Sequence, residues 1–223
     1  MNRKYMIYGL VGLAAVLVVV AGYFMLSGNG GDEEVPSTTS RIEIGPNEHT
    51  LGDPKAPIQI VEYGAPVCPH CSHFNETVFP LLKKEYIDTG KVYYVFRVFP
   101  LHSADTAVEG MASCLPKDSY FQFLDLMFRN QPRWDPEYQV QDVHAGLIAM
   151  GRLAGMSEAQ VDSCIAKPDI AALVQKNGQE AMGTYGINSV PSFIVNATVA
   201  PRSVVEWANL KTYLDSILAN QKK

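Results

Sequence analysis

At 223 residues, 47% of them apolar and 18% charged, the chain has the composition of one folded domain with appendages. A formal charge of −5 leaves no basic excess for a phosphate backbone, so no nucleic-acid partner is expected. The apolar share also excludes bulk disorder.

The first element is an apolar block. Tyr5 to Leu26 holds no charged residue and is dominated by Leu, Val, Ile, Ala and Gly. About 22 residues at 1.5 Å rise reach about 33 Å, enough for a hydrocarbon core of roughly 30 Å. Arg3 and Lys4 precede the block and Asp32, Glu33 and Glu34 follow it. The positive-inside rule keeps the basic end in the cytoplasm and carries the remainder across. A cleaved signal peptide is the alternative, but its apolar stretch is usually about 7–15 residues with a small-x-small site behind it. Here the block runs on into Gly22-Tyr23-Phe24-Met25-Leu26. Residues 1–26 are therefore read as a cytoplasmic stub and single-pass signal-anchor in the inner or cytoplasmic membrane. The domain behind it would lie on the periplasmic or extracellular side.

Residues 27–50 read as a linker, with Ser27 to Ser40 rich in Gly, Ser, Thr and acid. The coil reach of that richest part is roughly 20 Å. A domain over 51–223 follows. Ile58 to Tyr63 is a β-branched run and predicts a central strand. After the loop Gly64-Ala65-Pro66-Val67 comes Cys68-Pro69-His70-Cys71, with Pro69 suited to a first helical turn. Phe74, Val78, Leu81, Leu82 and Tyr86 continue at helical spacing, Pro80 predicts a kink, and Gly90 an end. Lys91 to Phe99 is the clearest strand.

The pattern is helical over about 103–185, with segments at Ala104–Leu115, Tyr120–Arg129 and Val140–Leu153. Ser157 with Gln160 forms a capping-box pattern, and Pro168 opens a further helix. Strand character returns at Ser192 to Asn196. A weaker strand and a closing helix from Val204 to Asn220 complete an α/β order with a helical insertion.

A C-x-x-C pair is shared by zinc ribbons, haem attachment and redox sites. Haem attachment needs His after the second Cys, where Ser72 stands, and a zinc site needs a second close ligand pair, which Cys114 and Cys164 do not form. No metal or cofactor is expected. A structural Cys68–Cys71 bridge would close a very short loop and stabilise little. Redox work fits better: Cys68 precedes a helix whose free N–H groups and dipole favour a thiolate, and His70 adds a donor or charge beside it. The histidines His49, His73, His102 and His144 have no ligand spacing and read as surface or capping residues. The sequons at Asn75 and Asn196 read as chance matches.

Cys-Pro-His-Cys after a Glu-bearing strand, a helical insertion, and Val190-Pro191 before a late strand together resemble the DsbA family of thiol–disulfide oxidoreductases. The resemblance runs from about Ile58 to Leu218 and implies a thioredoxin-like fold. It implies that Pro191 is a cis-proline facing the sulfurs of Cys68 and Cys71, with Val190 presenting backbone to an extended substrate. Glu62 would correspond to the buried acid that relays a proton for the inner thiol. Exported proteins with reduced cysteines would be the substrates and a DsbB-like quinone-linked membrane oxidase the reoxidising partner. A reductase or isomerase on the same fold, or a chaperone-like binding module, are the rival readings. The loop before Cys68 departs from the aromatic-rich stretch of well-known members, and Asn196-Ala197 replaces an expected glycine turn. Some members carry a second disulfide in the insertion, which would pair Cys114 with Cys164; the alternative is two buried thiols acting as small apolar groups.

Overall fold

The computed structural model describes residues 41–46 and 48–220. The apolar block 5–26 and most of the linker lie outside the described residues. Among the described residues, no helix is long and apolar enough to cross a membrane.

Five strands form one sheet in the order β1-β3-β2-β4-β5. Strand β1 is His49–Leu51 and β2 is Ile58–Gly64. Helix α1, Pro69–Thr77, and the short α2, Phe79–Leu82, lead through a wide turn at Lys83–Ile87 into β3, Val92–Val98. The insertion holds α3 (Ser103–Ser113), α4 (Tyr120–Arg129), α5 (Gln131–Trp134), α6 (Val143–Leu153), α7 (Glu158–Ile165) and α8 (Pro168–Tyr185). Strands β4 (Ser192–Val195) and β5 (Thr198–Val199) and helix α9 (Trp207–Asn220) close the domain.

Every residue of β2 is buried, which explains its β-branched run: it lies between β3, parallel, and β4, antiparallel. The parallel partner requires a helical crossover, and α1 and α2 supply it. That crossover is interrupted at Val78, two residues before Pro80, whose missing N–H removes one bond of the ladder. Gly90 ends it with φ +71°.

The stretch 41–50, read from composition as linker, packs onto the sheet instead. β1 pairs antiparallel with β3, and Ile42 and Ile44 lie against the apolar cluster behind it. Arg97 of β3 holds this stretch: its guanidinium donates to Glu48 at 2.6 Å, to Glu180 at 3.0 Å, to Tyr63 Oη at 3.1 Å and to the Glu43 carbonyl at 3.1 Å. Three-residue strands carry almost no local periodicity, so this one shows only once β3 is present to pair with it. At the β4–β5 turn, Asn196 and Ala197 take φ +46° and +62°, doing without the expected glycine. Asn196 is buried and its Oδ1 accepts the Gln59 N–H at 2.8 Å, while Asn75 is buried against Asp125.

In the insertion, Cys114 and Cys164 are bonded to one another across 50 residues of chain. The helices they join already touch closely, because a Cβ on Gly110 would lie 2.5 Å from the Cys164 carbonyl. Closing a loop of that length stabilises by up to about 4 kcal/mol in the chain-entropy model. The double variant Cys114→Ala/Cys164→Ala is expected to lose ~2–4 kcal/mol in urea unfolding and to keep the chemistry of Cys68. A loss under ~0.5 kcal/mol would show the helix packing alone to suffice.

Candidate active site

The central strand β2 ends at Gly64, and the chain turns through Ala65-Pro66-Val67 to start α1 beside the sheet's end. Cys68 is the N-cap of α1, at φ −82° and ψ 119°, and Pro69 occupies the first turn. This geometry leaves the first N–H groups of the helix aimed at the Cys68 sulfur. The Cys71 N–H donates to Cys68 Sγ at 3.4 Å, and the Ala65 N–H donates to Cys71 Sγ at 3.5 Å. The two cysteines stand as thiols. Cys68 is 6% exposed and Cys71 fully buried, so of the pair only the first cysteine meets solvent.

Burial and hydrogen bonding push the two thiols in opposite directions. Cys68 is lowered to about 6, first by the Cys71 thiol donating to it, against a desolvation cost, then by the N–H groups of Cys71 and His70. The charge of His70 contributes less than any of these. The imidazole projects into solvent, which screens it, so the expected part of His70 falls largely to its backbone. Cys71 is raised well above an ordinary thiol, chiefly by desolvation.

Across from the cysteines the Val190–Pro191 peptide is cis, and the Cys68 thiol donates to the Val190 carbonyl at 3.6 Å. A groove of about 260 Å³ opens beside it, with His70, Phe74, Val190, Pro191, Arg202 and Glu206 among its walls. Glu62 sits inside β2, 2% exposed and opposite Phe96 and Phe193. Desolvation pushes its carboxyl up to about 8 in spite of a 2.5 Å hydrogen bond from the Tyr94 hydroxyl. The charge of Cys68 also raises Glu62, and the charge of Glu62 in turn raises Cys71. Gly64 keeps this space open, since a Cβ there would lie 2.7 Å from the Phe96 ring and 3.1 Å from Glu62 Oε1.

The structure thus brings Cys68, Pro69, His70, Cys71, Glu62, Val190 and Pro191 together and leaves the Cys114–Cys164 bond in the insertion. Sequence reading missed Tyr94, Asp105 and Gln131. Tyr94 alternates inward on β3 with Phe96, a signal that an apolar strand usually masks. Asp105 and Gln131 reach the cysteine loop from far along the chain and leave no local signature. Of the remaining histidines, His102 caps α3 by accepting the Ala104 N–H at Nδ1, His144 pairs with Asp162 at 2.7 Å, and His49 stacks on Tyr120 at 3.5 Å. Among the described residues no three His, Cys, Asp or Glu side chains converge as a metal site.

A nucleophilic thiolate at a helix start beside a buried, basic thiol is an arrangement for thiol–disulfide exchange. Similarity to known proteins agrees. The sequence model of the thioredoxin family matches residues 45–216. A Rickettsia prowazekii relative, provisionally named as a protein-disulfide oxidoreductase, is 29% identical over 191 residues, 85% of this chain and 68% of its own length. The solved structure of Wolbachia pipientis alpha-DsbA1 superposes with a TM-score of 0.70 at 28% identity, covering 80% of this chain and 94% of that one. BdbD from Bacillus subtilis shares the fold, with a TM-score of 0.67 at 22% identity, covering 81% and 97%. The chain belongs to the thioredoxin family and is a DsbA-like thiol–disulfide oxidoreductase of that superfamily.

Proposed function

We propose that this oxidoreductase works as an oxidase, passing a Cys68–Cys71 disulfide to exported proteins with reduced cysteines. The observation that carries the reading is the opposed pull on the two thiols. A thiolate held at about 6 stabilises the reduced pair, which makes the disulfide the stronger oxidant.

In the cycle, a client thiolate attacks Cys68 Sγ, the S–S bond to Cys71 breaks, and Cys71 leaves with the electron pair. Cys71 is a poor leaving group unless protonated. Glu62, buried and raised to about 8, still holds a proton at neutral pH that it can supply. A second client thiolate then attacks the client sulfur of the mixed disulfide and expels Cys68 as a stable thiolate. The client has lost two electrons and the enzyme has gained them. A DsbB-like quinone-linked membrane partner takes them up. Once Cys68 no longer carries a thiol proton, the Val190 carbonyl is free to accept an N–H from an extended client lying along Pro191.

The charge-free segment Tyr5 to Leu26 supports a single-pass anchor with the domain on the periplasmic or extracellular side. Ile42 already donates its N–H to Gln59 Oε1 at 2.7 Å, so the folded domain includes residues ahead of β1. Holding the domain near the bilayer raises its encounter rate with a membrane partner.

Equilibration with glutathione buffers, followed by alkylation and mass spectrometry, tests the direction. The pair is expected to be reduced by glutathione ratios that leave ordinary structural disulfides intact, and to oxidise a reduced, unfolded protein rapidly. Retention of the Cys68–Cys71 disulfide under clearly reducing ratios would replace the oxidase with a reductase.

A further inference from the structure

The peptide groups around Cys68 are held from outside the Cys-Pro-His-Cys turn. Gln131 Nε2 donates to the Pro66 carbonyl at 2.7 Å and to the Cys68 carbonyl at 3.1 Å. Between them, the Val67 N–H donates to Asp105 Oδ1 at 2.9 Å. Both side chains are buried, Asp105 at 0% and Gln131 at 1% exposure. Three consecutive residues are thus gripped by one acceptor and one donor arriving on separate helices of the insertion.

Neither grip is needed for the helix that provides it. Asp105 completes the cap of α3 with Oδ2 alone, which accepts the N–H groups of Leu101 at 3.0 Å and His102 at 2.8 Å. Its Oδ1 is left for Val67, 38 residues upstream. Gln131 begins α5, a helix already tied to α4 through the Trp134 Nε1–H, which donates to the Met127 carbonyl at 2.8 Å. Its amide is oriented at the far side by the Tyr138 hydroxyl, 3.4 Å from Oε1.

We infer that Asp105 and Gln131 are positioning residues for Cys68: by fixing the backbone of residues 66–68 they hold its sulfur against the N–H donors of α1. The inference rests on the reading of Cys68 as the reactive thiol. Its physical basis is that the Pro66 and Cys68 carbonyls and the Val67 N–H together determine the rotations at Val67 and Cys68. Those rotations place Cβ and Sγ. Hydrogen bonds weaken steeply with misalignment, so a small rotation of the 66–67 or 68–69 peptide, the two that these side chains hold, costs the thiolate its donors while leaving the neutral thiol almost unaffected. The helical insertion would then set how oxidising the pair is, through residues that never touch a sulfur.

The test uses Asp105→Asn and Gln131→Leu in the full chain. Asp105→Asn keeps the size and one acceptor but cannot satisfy both the α3 cap and Val67, so it serves if Gln131→Leu fails to fold. Asn75→Ala is the control: Asn75 donates to Asp125 at 2.8 Å, tying α1 to α4 without touching the loop. Thiolate absorbance against pH, the glutathione equilibrium and the thermal midpoint are read for each. Both loop variants are expected to move the Cys68 transition up by about one pH unit and the glutathione equilibrium by about tenfold, toward a less oxidising pair. Asn75→Ala is expected to lower the thermal midpoint and to move neither. An anomalously low wild-type transition that both variants leave within about twofold overturns the inference alone. An ordinary transition in the wild type removes the reading of Cys68 and the inference with it.

Discussion

Replacing Cys71 by alanine is expected to raise the Cys68 thiolate transition by at least ~1 pH unit, equivalent to ~1.4 kcal/mol. The Cys71 thiol is the largest stabilising donor to the Cys68 sulfur, and alanine removes it while leaving the Cys71 N–H in place. Cys71→Ser keeps a hydroxyl donor at the same position and is expected to preserve most of the low transition. Both variants lose turnover, because no intramolecular disulfide can form. Cys68→Ser removes the low transition altogether and abolishes disulfide transfer. The roles are therefore separable: offered a client peptide whose one cysteine is held as a disulfide with glutathione, Cys71→Ser displaces the glutathione thiolate and accumulates a mixed disulfide on Cys68, and Cys68→Ser does not. Thiolate absorbance and mass spectrometry of the trapped adduct check this. A low transition that survives Cys68→Ser, or a client adduct on Cys71, would reverse the assignment.

Glu62→Gln is expected to be the largest stabilising change at alkaline pH. In the unfolded chain this carboxyl titrates near its ordinary value of 4.5; in the fold burial pushes it up to about 8. Between those values the folded protein holds a proton that the unfolded chain has released. Stability therefore falls as pH rises through that window. Below 4.5 both states are protonated and no penalty exists; above 8 both are ionised and the penalty is complete. The variant never ionises and keeps an oxygen to accept the Tyr94 hydroxyl. Measured by urea unfolding of the disulfide form, where neither thiol of the pair titrates and the charge of Cys68 no longer adds to the effect of burial, its advantage over wild type should be ~2–4 kcal/mol at pH 8 and near zero below pH 4.5. Asp105, Glu109 and Asp135 are also raised by burial and slope the same way, so the difference between variant and wild type isolates Glu62. Equal advantages at the two pH values would mean that Glu62 is not buried as a neutral acid.

The physical distinction between what could be read and what could not runs along the range of the interactions. The central strand at Ile58–Gly64, the helix start at Cys68-Pro69 and the capping box at Ser157 and Gln160 depend on neighbours within a few residues. Periodicity and cap chemistry therefore declare them in one dimension, and with them the redox pair itself. Glu62 could be named because the resemblance to the DsbA family implies a buried acid on the strand that precedes the first cysteine. Its partner Tyr94 could not, since only the parallel register of β2 and β3 brings the two together. Asp105 has a complete local explanation as a helix cap, so nothing in its surroundings in sequence announces the second oxygen bonded to Val67. Gln131 is 63 residues from Cys68, and β1 needs a partner strand more than forty residues away. The sequence by itself determined the fold class, the cysteine pair and the helix that begins at it, because those rest on local backbone preferences and hydrophobic period. Only the tertiary structure decided how strongly the first sulfur is held as a thiolate, because that depends on burial and on hydrogen bonds whose partners are separated along the chain by tens of residues.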